Sequence, residues 1–195
     1  MSLALCGTAQ VQIAINAVHP NAQVKGGDIL VGYAKEVSAE VRKLNLDAQR
    51  SQLFSAQELR YFVCVVPVKD LKQEFQRLLS DEAGVNRVPV GVLFMTNLKP
   101  KSLDPSVFPS FLFKADILRK LIFSVLYVEK SKAGKLHLLL MGDDNRTLLT
   151  FPLYPLPPGQ SERILGFEVL DNQMQLSILG SHAAYIDLEF VQFEF

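Results

Sequence analysis

The hydrophobic residues of this chain fall into short runs, and most of these runs predict β-strands. Near the start, Val11, Ile13 and Ile15 alternate with polar or small residues, which is the period of two expected of a half-buried strand. In the last third of the chain, apolar segments follow one another across turns rich in Gly, Asp, Asn and Pro. We therefore expect a fold in which antiparallel β-structure predominates.

Two segments of the N-terminal half have the period of a helix instead. Between residues 28 and 46 apolar side chains recur every three or four positions, with Asp28 as the N-cap. A strand over the first turns is the alternative, because Gly32 in a helix interior costs about 1 kcal/mol relative to alanine. A second helix begins after Asp70 and ends near Gly84, and its apolar face is predicted to comprise Leu71, Phe75, Leu78 and Leu79.

The second helix lies between two apolar runs, Tyr61 to Val68 and Val88 to Met95. This order is typical of a β-α-β unit, in which the two strands can be parallel. Such units often bind ligands at the carboxyl ends of their strands, here near Lys69, Asp70 and Thr96. A small-ligand site or an enzyme active site within residues 61–95 is therefore one hypothesis for the function.

The middle of the chain contains a proline-rich segment and then a long apolar run. Pro100, Pro105 and Pro109 predict a loop of about ten residues. After it, residues 116–128 fit either a strand buried on both faces or a helix buried all round, and β-branched residues favour a strand in the second half of the segment. We expect one globular domain over residues 1–195. A subdivision into an α/β-like part, residues 1–99, and an antiparallel part, residues 110–195, is the alternative.

The C-terminal half predicts a β-meander followed by a second set of strands. Turns at residues 130–135 and 142–145 separate three strands, and the prolines of residues 152–159 form a stiff connector that carries the chain to another sheet edge. A hairpin around Asp171-Asn172 and a last strand after Gly180 follow. The whole chain is thus predicted to be α+β, with a predominantly antiparallel sheet, a mixed sheet as the alternative, and two or three N-terminal helices.

Composition narrows the classes of partner. Lys+Arg and Asp+Glu are both 20, so the formal net charge is zero and no strong field favours nucleic acid or an anionic membrane. Zero charge also removes a protection against self-association. No apolar run of about 18 residues predicts a transmembrane helix, no signal peptide is recognised, and two cysteines favour a reducing compartment, so the cytoplasm is the expected location.

No residue pattern predicts catalysis, a metal site or a cofactor. Cys64 lies inside an apolar run, where burial makes a thiol unreactive, and His19, His137 and His182 are too far apart to form a motif. Three further groups have simpler explanations than chemistry. They are a flexible turn at Gly26-Gly27, a hairpin turn at Asp143-Asp144-Asn145, and the solvated side of a strand at Asp187 and Glu189.

The leading hypothesis is a non-catalytic structural or protein-interaction protein that works as a homo-oligomer or as a subunit of a larger assembly. In the last strand Ile186, Leu188 and Phe190 share one side, whereas Val191, Phe193 and Phe195 occupy the other. Such a change requires a bulge, a twist or a second apolar surface, so the predicted partner-binding residues are Val191, Phe193 and Phe195. Weak nucleic-acid binding through a lysine-tipped hairpin is an alternative that uses Lys130, Lys132 and Lys135.

Overall fold

The structure is a computed structural model and describes residues 26–55, 61–102, 104–158, 164–170 and 173–188. Within them, the α-helices are α1 (Gly27–Val37), α2 (Ala39–Arg42), α3 (Leu71–Leu79) and α4 (Phe108–Ile117), and short 3-10 turns span Ala48–Arg50 and Pro105–Val107. The strands are β1 (Gln52–Ser55), β2 (Phe62–Pro67), β3 (Arg87–Thr96), β4 (Leu121–Lys130), β5 (Leu136–Met141), β6 (Thr147–Pro152), β7 (Tyr154–Pro155), β8 (Leu165–Leu170), β9 (Gln173–Ile178) and β10 (His182–Asp187).

The strands form two sheets. The larger sheet has the order β1-β2-β3-β4-β5-β6, and the smaller has the order β7-β10-β9-β8. All neighbouring strands of both sheets are antiparallel. The predicted α+β class, with helices in the N-terminal half and a β-meander in the C-terminal half, is therefore confirmed.

One expectation about strand direction is wrong. Residues 61–95 do contain a strand, a helix and a strand, but β2 and β3 are antiparallel neighbours that pair Phe62 with Thr96 and Pro67 with Gly91. Helix α3 therefore leaves and rejoins this pair at the same end. The apolar pattern along a strand records which of its side chains are buried and carries no information about the direction of its neighbour.

The helix predicted between residues 28 and 46 is present, but it is interrupted at Ser38. The backbone of Ser38 is extended, and its hydroxyl accepts a hydrogen bond from the Val41 N–H at 3.3 Å, which caps α2. The side chains of Leu30, Ala34 and Val41 are fully buried, as the periodicity predicts, whereas Val37, which the same period places on this face, is exposed. The alternative strand at the start of this segment is not formed.

The turn at Gly26-Gly27 is closely packed, which differs from the flexible turn expected. Gly26 is the N-cap of α1, with φ of 92°, so Asp28 lies in the first turn of the helix. A Cβ atom on Gly26 would stand 2.1 Å from Cβ of Pro105, and one on Gly27 would stand 2.1 Å from the Ala48 carbonyl oxygen. The two glycines therefore allow the start of α1 to contact both 3-10 turns.

Helix α3 follows its prediction closely. It begins after Asp70, which is the N-cap although its side chain makes no capping hydrogen bond. Leu71, Phe75 and Leu78 are buried, whereas Leu79 is exposed, so the apolar face is one residue narrower than predicted. The helix ends before Gly84, which has φ of 84° in the following loop.

The proline-containing segment that was predicted to be a loop includes a 3-10 turn and the start of a helix. Helix α4 begins at Phe108 with Pro109 in its first turn, where the missing N–H of proline is not needed. Before it, the Asp104 carboxylate accepts a hydrogen bond from the Ser106 N–H at 3.0 Å and starts the 3-10 turn. Asp followed by Pro, as at Asp104-Pro105, is a signal for the start of a helix as well as for a loop. The apolar run that follows is strand β4, so the alternative of a buried helix there is wrong.

The large sheet is covered on both faces. On one face the Phe62 ring contacts the rings of Phe108 and Phe111 in α4, with centroids 5.6 and 5.2 Å away. On the other face Leu165 of β8 lies over Gly91. Helices and the small sheet thus enclose the central strands in one continuous cluster of buried side chains. That the domain extends over residues 1–195 stays a prediction.

The C-terminal elements match the predicted turns. The β4–β5 hairpin turns at Gly134, the next hairpin turns at Asn145 with φ of 61°, and the chain passes to the small sheet after Leu153, as the proline connector predicted. In β10 and just after it, Ile186 and Leu188 are buried. The predicted change of side falls on residues 190 and 191, which lie outside the described residues.

Alanine at Gly91 is expected to destabilise the fold, because its Cβ would stand 2.5 Å from the Val66 carbonyl oxygen and 2.7 Å from Leu165 Cδ2. Overpacking of this kind costs about 1–3 kcal/mol of unfolding free energy. Gly32→Ala is the matched control, because nothing lies within 4 Å of the added Cβ and alanine in a helix gains about 1 kcal/mol. Urea unfolding measures the unfolding free energy of each variant. Equal changes in this free energy for the two variants would contradict the close packing at Gly91.

Candidate functional site

The ligand site expected at the ends of β2 and β3 is not assembled. Lys69 and Asp70 follow the carboxyl end of β2, but antiparallel pairing places Thr96 beside Phe62, at the opposite end of that strand. Thr96 is also buried, and its hydroxyl accepts a hydrogen bond from the Leu98 N–H at 3.1 Å. The three residues therefore cannot contact one small ligand.

The lysine-tipped hairpin is formed, but its three lysines differ. Lys130 Nζ lies 2.5 Å from an Asp81 carboxylate oxygen, so its charge is matched within the protein. Lys132 and Lys135 are exposed at the turn between β4 and β5. Of the three, Lys135 lines an open cleft beside the hairpin.

This cleft lies where the chain passes from the large sheet to the small one, and its volume is about 520 Å³. The wall residues include three basic or ionisable nitrogen side chains, one exposed tyrosine and two prolines, and none of them is acidic. They are Gly134, Lys135, Leu136, His137, Pro152, Leu153, Tyr154, Pro155 and His182. Histidines that are distant in the sequence are thus brought to one cleft.

The two histidines of the cleft have different surroundings. His182 begins β10, its ring packs edge-on against Phe75 at 5.3 Å, and its Nδ1 lies 3.0 Å from the Ser181 hydroxyl. Burial lowers the pKa of His182 below its ordinary value, because the charged ring loses hydration. His137 is half-buried in β5 between Glu129 and Pro152 on the adjacent strands. His19 lies outside the described residues.

Cys64 has the environment that the sequence predicted. It is fully buried in the centre of β2, and burial raises the pKa of its thiol far above the ordinary range. A thiol in that state is neither exposed nor ionised, so it acts as a small apolar side chain.

The acidic turn Asp143-Asp144-Asn145 is held by its own hydrogen bonds. One Asp144 carboxylate oxygen accepts from the Arg146 N–H at 3.1 Å, and the other lies 3.0 Å from Arg146 Nε. Asp187 ends β10, and Glu189 lies outside the described residues. Across the part of the chain that the structure describes, no three His, Cys, Asp or Glu side chains cluster closely enough to hold a metal ion.

The outer edge of the large sheet is a second candidate site. Strand β6 pairs only with β5 among the described residues, and all its side chains except Phe151 are exposed. Leu148 and Leu149 are 40% and 37% exposed, and no charged residue occurs between positions 147 and 158. An edge of this kind lacks the charges that usually prevent pairing with another strand.

The predicted partner-binding residues Val191, Phe193 and Phe195 lie outside the described residues. A further exposed apolar patch is present on the surface of α4 and just after it, formed by Phe113, Ile117 and Leu118. The pattern of the sequence did not predict this patch, because it did not predict α4. It also did not predict β6 as an open edge, because edge position depends on the order of the strands.

Comparison of the chain with protein-family models, with curated proteins and with solved structures found no match. Over the residues that the structure describes, none of the helices combines the length and apolar character needed to cross a membrane.

Cys64 is expected to resist alkylation in the native protein. Because the thiol is buried and its pKa is raised, iodoacetamide at pH 8 should leave the Cys64 peptide unmodified and should alkylate it fully in urea. Mass spectrometry of the digested protein measures both states. Rapid native labelling of Cys64 would contradict its burial.

His182 is expected to make stability depend on pH. The pKa of His182 is lowered in the folded state. The stability that its neutral ring contributes is therefore complete above the unfolded-state pKa of 6.5 and is lost as the pH falls below that value. The unfolding free energy of the wild type should therefore decrease more between pH 7 and pH 5 than that of His182→Gln. Urea titrations at the two pH values give this difference, and parallel losses in both proteins would contradict the lowered pKa.

Proposed function

We propose that this protein is a non-catalytic structural or interaction protein that associates with a second copy of itself through the open edge of β6. The observation that carries the proposal is the exposed, uncharged backbone edge of this strand. Addition of a strand at such an edge gives affinity through main-chain hydrogen bonds.

The hydrogen-bond pattern identifies which residues of β6 face outward. The Leu153 N–H donates to the Leu136 carbonyl at 3.0 Å, so bonds toward β5 recur at every second residue, at Phe151 and Leu149. The backbone groups of Thr150 and Pro152 therefore point away from β5. Since proline has no N–H, Thr150 supplies the outward donor in this part of the strand.

The sequence of β6 favours a second copy of the same chain as the partner strand at this edge. Antiparallel pairing of two β6 strands about Thr150 is symmetric, so each Thr150 N–H donates to the Thr150 carbonyl of the other copy. The same register places Leu149 opposite Phe151, an apolar pair, and brings no like charges together. The zero formal net charge of the chain adds no long-range repulsion between copies.

Thr150→Pro is expected to abolish the dimer, because it removes the outward N–H without changing a bond to β5. Thr150→Val is the matched control: it keeps the N–H and the β-branched shape, and the dimer should persist. Light scattering after size-exclusion chromatography at about 100 μM gives the mass of each protein. A monomeric wild type, or a Thr150→Pro variant that still dimerises, would rule out pairing through β6.

Val191, Phe193 and Phe195 remain part of the proposal as a second partner-binding segment. Their alternating apolar side chains are suited to packing against another sheet surface. The proposed place of action is the cytoplasm, which is consistent with a reduced, buried Cys64 thiol.

Serine at Val191, Phe193 and Phe195 together is expected to weaken association at least tenfold, since three apolar side chains leave the interface. The dissociation constants of this variant and the wild type can be compared by sedimentation equilibrium. A control that changes Gln192 and Glu194 to serine alters the polar residues of the same segment and should leave the constant within about twofold. Equal association of all three proteins would remove the segment from the proposal.

A further inference from the structure

The cleft beside the β4–β5 hairpin has features of an anion site. Lys135, His137 and His182 all line it, and none of the described residues of its wall carries a carboxylate. A lysine ammonium group is fully charged at neutral pH, and both imidazoles can donate hydrogen bonds. The residues of the wall therefore favour a negatively charged group over a cation.

Two carboxylates that contact the β4–β5 hairpin form ion pairs with basic side chains outside the wall of the cleft. An Asp81 carboxylate oxygen lies 2.5 Å from Lys130 Nζ. Glu129, which pairs with His137 across the sheet, lies 2.7 Å from Arg87 Nη2. Neither of these two carboxylates forms an ion pair with Lys135.

The remaining wall offers flat, apolar surfaces. Tyr154 is 53% exposed, and its ring is tilted against Tyr185 with centroids 6.2 Å apart, which orients it without covering it. Pro152 and Pro155 are rigid and lie on either side of the sheet change. The volume of about 520 Å³ falls in the range of sites for small organic ligands.

We propose that this cleft binds a nucleotide, with its phosphate on Lys135 and the cleft histidines and its base against Tyr154. An aromatic ring contributes about 1–3 kcal/mol by stacking on a base, and a lysine serves as a point charge for phosphate. This binding goes beyond the proposed self-association and uses residues outside the Thr150 contact. The nucleotide can be free or can be one unit of a single strand.

Two probes distinguish these sources. Adenosine 5′-monophosphate is titrated by isothermal calorimetry, and a fluorescein-labelled oligothymidylate of about ten nucleotides is titrated by fluorescence anisotropy. Binding of the mononucleotide identifies a free nucleotide as sufficient. Binding of the oligonucleotide alone identifies a single strand as the source.

Lys135→Glu and Tyr154→Ala are each expected to weaken binding of the probe at least tenfold. Lys132→Glu is the matched control: it makes the same charge change in an exposed residue of the same hairpin that does not line the cleft, and binding should stay within about twofold. Lys135→Gln tests the loss of charge without reversal, and circular dichroism verifies the fold of each variant. The proposal is overturned if the wild type binds neither probe, or if Lys132→Glu weakens binding as much as Lys135→Glu.

Discussion

Burial of the central strands on both faces is the constraint on which the rest of this structure depends. The side chains of β2 are buried at every position, and most of those of β3 and β4 are buried or half-buried. Helix α4 covers one face through its contact with Phe62, and β8 covers the other at Gly91. A sheet of this kind needs continuous apolar strands and two covering layers, and the order of elements along the chain supplies both.

This constraint also explains how far the sequence predicts the fold. Periodicity and turn residues predicted most of the helical stripe between residues 28 and 46, the meander and the hairpin of β8 and β9, because each depends on neighbours close in the sequence. The antiparallel direction of β2 and β3 could not be predicted in this way, since both directions bury the same side chains. Helix α4 was missed because the prolines that begin it also occur in loops.

The cleft was beyond prediction for a different reason. His137 and His182 are unremarkable in their own segments, one in a strand and the other next to a turn, and neither belongs to a motif. They line one cleft because the chain changes sheet after Leu153 and β7 then pairs with the start of β10. By contrast, the inert state of Cys64 was predictable, because the residues that bury it surround it in the sequence and in the structure.

Both proposed contacts lie at the change of sheet. Pro152 is the last residue of β6 and Pro155 is the last residue of β7, and between them the chain leaves the large sheet and pairs with β10 of the small one. Among the described residues, no strand is hydrogen-bonded to the outer edge of β6, and the cleft lies at the crossing, where it is lined by Lys135 and Tyr154. Because Thr150 faces outward from the edge while Lys135 lies on the hairpin, substitutions at one position leave the other contact in place. The proposed self-association and the proposed nucleotide binding can therefore be tested independently of each other.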